Sequence, residues 1–132
     1  AYVVNEGGSA ALYLAATADA GKATRVELPR GVISGVQFDH AGARLGLTMS
    51  TSQSSADVQV VDVKSRAVTR WTFSETGGIP SQTFVTPLLV EVPSFDKRKI
   101  PFWFYAPRTP PKTPTPVIIF IHGGPEAQAT AG

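Results

Sequence analysis

The sequence predicts a mainly β chain built in two parts, and three observations carry that expectation. Its apolar residues fall in short runs rich in Val, Ile, Thr and aromatics, with no sustained helical period. Gly and Pro, 12 and 11 of the 132 residues, sit between those runs and mark turns. After Gly77-Gly78 the character changes, and the last run, Val117 to Ile121, is apolar without a polar break.

Composition narrows the function classes. The net charge is +2 and the basic residues are scattered, which gives no stripe for nucleic acid. No cysteine is present, so disulfides and cysteine-based zinc sites are excluded. Two histidines far apart in sequence do not suggest a metal site, and no cofactor is expected. No apolar run approaches the roughly 20 residues of a membrane helix, so no membrane partner is expected. The chain starts at Ala1 and runs directly into a strand-like Y-V-V, which suggests a natural beginning further upstream. Localisation is therefore unassigned, with cytoplasm and periplasm both compatible.

Taken in order, the first strands are Tyr2 to Asn5 and Leu12 to Ala16, joined through the turn-rich Glu6-Gly7-Gly8-Ser9. A third, Ala23 to Leu28, follows Asp19-Ala20-Gly21-Lys22, read as a turn. Val32 to Phe38 comes next, then a turn at Asp39-His40-Ala41-Gly42 and a strand from Leu45 to Ser50. Val58 to Val63 alternates in polarity, and Lys64-Ser65-Arg66 turns the chain into Val68 to Phe73.

These segments repeat. Leu12-Tyr13-Leu14 leads to Thr24-Arg25-Val26, and Val58-Gln59-Val60 leads to Thr69-Arg70-Trp71. The two Thr-Arg pairs are separated by about 45 residues, the length of one four-stranded β-propeller blade. Residues 1–76 are accordingly expected to be C-terminal propeller blades, with Ala1 to Leu28 as three strands of one blade and Val32 to about Thr76 as the next. A β-sandwich with evenly spaced strands is the alternative.

Residues 77–132 are expected to form a linker and the opening strands of a second domain. Pro87 to Val92 and Ile100 to Ala106 flank a polar turn, Ser94 to Lys99. In the second of these, Phe102, Trp103, Phe104 and Tyr105 point to alternate faces and suggest a packed interior strand. The proline-rich stretch Pro107 to Pro116 excludes helix and interior strand and reads as a stiff, solvated crossover; a proline-recognition ligand is the lesser reading. Val117 to Ile121 then has the composition of a strand buried on both faces, as in a parallel sheet. It stops at His122-Gly123-Gly124-Pro125, where two residues without Cβ leave backbone able to approach a ligand closely. Amides held there could bind a developing negative charge.

The strand followed by H-G-G-P-E, His122 to Glu126, resembles the oxyanion-hole strand and loop of α/β-hydrolases. In this form it resembles the prolyl oligopeptidase family of serine peptidases, on the side of its acylaminoacyl-peptidase and dipeptidyl-peptidase branches. Two further stretches are similar to that family. F-D-H-A-G-A-R-L, Phe38 to Leu45, is similar to a propeller turn F-S-P-D-G-x-x-L, with the glycine in place and Asp39-His40-Ala41 substituted. Ser94 to Ile100 is similar to S-x-D-G-x-x-I, with Lys97 where the glycine usually stands.

The resemblance implies a fold in which the end of a β-propeller joins the first strands of an α/β-hydrolase sheet. It implies cleavage of a short peptide substrate through an acyl-enzyme, with the Gly124 amide as one oxyanion donor and Gly123, His122 and Pro125 shaping that loop. His122 as a catalytic base is the weaker reading, because the family's catalytic histidine lies near the C-terminus. His40 and Glu126 are expected to be solvated. No nucleophile elbow occurs: Ser34 in Gly31 to Gly35 and Ser9 after Gly7-Gly8 both lack the G-x-S-x-G pattern and a following helix. The resemblance therefore implies that serine, acid and histidine lie in sequence beyond Gly132. The chain alone is expected to be inactive and unable to fold stably, its partner being the remainder of the same protein. Homo-oligomerisation is left open. The alternatives are an esterase-type α/β-hydrolase with an N-terminal β-domain, and a non-enzymatic β-rich binding module in which H-G-G-P is only a turn.

Overall fold

A computed structural model describes residues 1–124 and 126–132. The chain is mainly β, as expected, in three antiparallel sheets, none of them closed. β1 (Tyr2–Glu6), β2 (Ser9–Ala16) and β3 (Asp19–Arg25) form the first sheet. β4 (Val32–Phe38), β5 (Arg44–Thr51), β6 (Ser54–Asp62) and β7 (Val68–Arg70) form a four-stranded meander. β8 (Leu88–Pro93) and β9 (Lys99–Phe104) form a hairpin.

Local chemistry explains the turns. Glu6 pairs with Ser9 across Gly7 and Gly8, whose φ values of 62° and 86° make a two-residue turn that bulkier residues resist. The Gly8 amide is capped by Asn5 Oδ1 at 2.8 Å. In the second sheet, Asp39 Oδ1 accepts the Ala43 and Arg44 amides, and Gly42 takes φ 67° to close the β4–β5 turn.

The second β1–β3 turn differs from expectation. Asp19-Ala20-Gly21-Lys22 lies inside β3, and the chain reverses at Thr17-Ala18, where Ala16 pairs with Asp19. The composition of Asp19 to Lys22 suggests a turn, yet the stretch lies within the strand. The ladder pairs Ala16 with Asp19 and resumes at Leu14 with Thr24, so the register shifts across it, and Lys22 Nζ pairs with Asp19 at 2.9 Å.

One apolar core joins the first two sheets. Leu45, Leu47 and Met49 alternate on β5, each buried. They meet Val61 of β6, Leu12 of β2 and Val26 just past β3. Burying each side chain of this size contributes about 1.5–3 kcal/mol relative to exposure. The sheets touch where the Ala10 amide donates to the Gly31 carbonyl at 2.8 Å. A Cβ added to Gly31 would lie 2.1 Å from the Ser50 carbonyl oxygen. Gly31→Ala is therefore expected to destabilise the protein by about 1–3 kcal/mol through overpacking, read as a lower urea midpoint at unchanged slope. An unchanged midpoint would show that the crossing yields freely.

The hairpin turn is built as a three-residue loop. The Lys97 amide donates to the Ser94 carbonyl at 2.9 Å, and Ser94 and Arg98 close the ladder at 2.7 Å. Lys97 has φ 67°, the left-handed conformation that glycine takes freely and a lysine takes at a cost. Lys97→Gly is thus expected to stabilise the protein by about 1 kcal/mol, measured as a rise in denaturant midpoint. A fall would mean that unfolded-chain entropy outweighs the relieved strain.

Two expectations are corrected in the C-terminal part. Phe102, Phe104 and Tyr105 are exposed and Trp103 is half-buried, because β8 and β9 form a two-stranded ribbon with no further strand beside it among the described residues. Trp103 is covered in part where its Nε1 donates to the Ala129 carbonyl. Val117 to Ile121 forms no strand, and its side chains are 78–94% exposed. A parallel strand needs flanking strands to satisfy its backbone and cover its faces, and none of the described residues supplies them. Residues 107–116 form neither helix nor strand and are exposed, in keeping with their prolines.

Candidate functional site

The H-G-G stretch is exposed and lies beyond the last sheet. The His122 ring places Nδ1 2.8 Å from the Gly123 carbonyl oxygen, so an Nδ1–H donates to it. In a trans peptide the carbonyl and the following N–H point in opposite directions. Fixing the Gly123 carbonyl against the ring therefore turns the Gly124 N–H away from it. Neither the Gly123 nor the Gly124 amide donates a hydrogen bond to a described residue. Gly124 stands at a bend so tight that an added Cβ would lie 3.3 Å from the Glu126 nitrogen.

Neither glycine adopts a left-handed φ, and a Cβ on Gly123 would meet nothing within 4 Å. The freedom that glycine grants is thus not used at Gly123 in this structure. Pro125, expected to support the loop, lies outside the described residues. Glu126 and His40 are both exposed, as expected.

Among the described residues neither candidate serine meets a histidine. Ser34 sits mid-ladder on β4 opposite Thr48, and the Ser9 hydroxyl accepts the Gly31 amide at 3.3 Å. Among the described residues no serine hydroxyl bonds a histidine, and no cluster of three His, Asp or Glu side chains could hold a metal ion.

Sequence reasoning missed one polar cluster. Asp57 on β6 is fully buried, pairs across the ladder with Met49, and faces the core. Its carboxylate accepts the Thr72 hydroxyl and the Ser74 amide at 2.8 Å each, the Ser74 hydroxyl at 3.1 Å, and the Arg70 guanidinium. Arg70 also lies 4.7 Å from the centre of the Phe73 ring. Burial opposes ionisation of Asp57, but the hydrogen bonds from Thr72, Ser74 and Arg70 outweigh it and hold its pKa below the ordinary carboxylate value. This cluster explains why β7 stops at Arg70 instead of continuing to Phe73. The Thr72 hydroxyl takes over as acceptor for the Val58 amide, and the chain is drawn towards Asp57. The available signal was alternation: stepping back by two from Val61 through Gln59 places Asp57 on the core face.

The opposite face of the four-stranded sheet carries an open hollow of about 570 Å³, lined by Val36, Phe38, Thr48, Val58, Val60 and Trp71. It contains no histidine and is far from an acyl-transfer arrangement in its chemistry.

Comparison with protein-family models, curated proteins and solved structures finds no match for this chain.

Proposed function

We propose that this chain contributes the oxyanion-hole loop of a serine peptidase of the prolyl oligopeptidase type, the remainder of the same protein supplying the serine, acid and histidine. In this reading residues 1–76 are the end of a β-propeller and residues 77–132 are the linker and first strands of an α/β-hydrolase domain. The observation that carries it is the H-G-G geometry: His122 holds the Gly123 carbonyl, and no described residue accepts the Gly124 N–H. One such preorganised donor is worth roughly 3 kcal/mol of transition-state stabilisation in acyl transfer. The four-stranded meander of β4 to β7 has the strand order of one propeller blade. The exposed Val117 to Ile121 fits a strand whose neighbours belong to sequence outside these residues.

A short peptide is the substrate class, bound with its scissile carbonyl oxygen against the Gly124 amide and the amide after the nucleophile. Attack by the serine forms an acyl-enzyme and releases the amine, and water then releases the acid. A fluorophosphonate probe on the intact protein is expected to label one serine outside residues 1–132. Labelling within this chain, at Ser9 or Ser34 for instance, would overturn the reading, as would an intact protein that takes no label.

A further inference from the structure

The segment that follows the glycine loop returns to the body of the protein and is fastened there. We infer that Gln128 to Gly132 is a strap that sets the position of the His122-Gly123-Gly124 loop, with Trp103 and Gln128 as positioning residues. This inference rests on the oxyanion reading above.

Separate contacts build the strap. Gln128 Oε1 accepts Asn5 Nδ2 at 2.7 Å, and the Ala129 carbonyl accepts Trp103 Nε1 at 3.2 Å. The Ala131 amide donates to the Gly8 carbonyl at 2.9 Å, and Ala131 is almost fully buried. Gly132 is so close to the β4 and β5 ends that an added Cβ would lie 2.8 Å from the Ser50 carbonyl oxygen. The seat is shaped for it as well: a Cβ on Gly8 would stand 2.6 Å from the Ala129 oxygen, so a bare glycine admits the strap. Gly8 thus serves two ends, a turn with φ 86° and a close crossing.

The mechanical consequence follows from connectivity. Trp103 lies on β9, before the proline-rich crossover, and Ala129 lies after the glycine loop. Their bond closes the intervening chain into one loop with both ends fixed. Residues 107–121 have no ladder of their own and are exposed, so the loop inherits its position from its two ends. Only three residues separate Gly124 from Gln128 in sequence, so a short span of chain links the fastened strap to the loop. Asn5 lies in the first sheet, Gly8 in its β1–β2 turn and Trp103 in the third sheet, so the strap also ties the two parts of the chain together.

The test uses the intact protein with two readouts. The Ala131 amide is expected to exchange slowly with solvent, and faster in Gln128→Ala and Trp103→Phe. Both variants are expected to lower kcat by roughly tenfold or more at nearly unchanged KM, because a displaced oxyanion donor weakens the transition state more than the bound substrate. Gln128→Glu keeps the acceptor for Asn5 and is expected to keep kcat. A freely exchanging Ala131 amide in the wild-type protein would overturn the strap. Faster exchange with unaltered kcat would overturn its positioning role. Absence of peptidase activity in the wild-type protein would overturn the oxyanion reading and the positioning role with it, while the exchange of Ala131 still decides whether the strap exists. Should Trp103→Phe fail to fold, the exposed Gln128→Ala and Gln128→Glu pair decides alone.

Discussion

Replacing Asp57 by Ala is expected to lower the melting temperature by roughly 10–20 °C, since removing one partner of a buried, hydrogen-bonded ion pair leaves the others uncompensated. Two residues beyond β7, Thr72 and Ser74, converge with Arg70 on this carboxylate, and all three would lose their acceptor. Because Arg70 is about a third exposed, water can re-solvate it, and the loss falls mainly on the Thr72 and Ser74 groups. The pH dependence has a definite sign. The folded-state pKa of Asp57 is depressed below its ordinary value of 3.8, so its contribution is present in full above that value. It is lost as pH falls through the folded-state pKa. Asp39, held down chiefly by the Arg44 amide, and Asp62, held down chiefly by the Ser65 amide, share that direction. Asp57→Asn should therefore shrink the loss of melting temperature between neutral and strongly acidic solution. An acid limb identical to that of the wild-type protein would show that the cluster does not carry the ionisation.

The second large effect is expected at Gly124. Gly124→Pro removes the proposed donor outright and should reduce kcat for peptide hydrolysis roughly 10²–10³-fold with KM nearly constant. Gly124→Ala keeps the N–H, but its Cβ would press on the Glu126 nitrogen at 3.3 Å, so a smaller loss is expected. The comparison separates donor loss from loop distortion. Equal activity of the proline variant and the wild-type protein would mean that the Gly124 amide does not face the reacting carbonyl.

Short-range chemistry made the N-terminal half legible. Glycine pairs, alternating valines and Asx turns are local signals, and they place β1, β2, β4 and β5 to within a few residues of where they occur. The end of β7 was illegible because Asp57 captures Thr72 and Ser74 from across the sheet, and no periodicity in the strand itself reports a partner so distant in sequence. Asp19 to Lys22 misled for the converse reason: the turn falls two residues earlier, at Thr17-Ala18, and these turn-forming residues sit where the β2–β3 register shifts. At Val117 to Ile121 the composition describes a buried strand, while burial depends on neighbours that the residues themselves do not contain. The His122 contact with the Gly123 carbonyl was only partly legible: the motif suggested a supporting role, and the geometry supplies the atom through which it would act.

The coding sequence that follows Gly132 tests the central claim most directly. A G-x-S-x-G elbow between a strand and a helix, followed by an aspartate and then a histidine, is the expected result. A stop codon immediately after Gly132, or a continuation without that elbow, would contradict it.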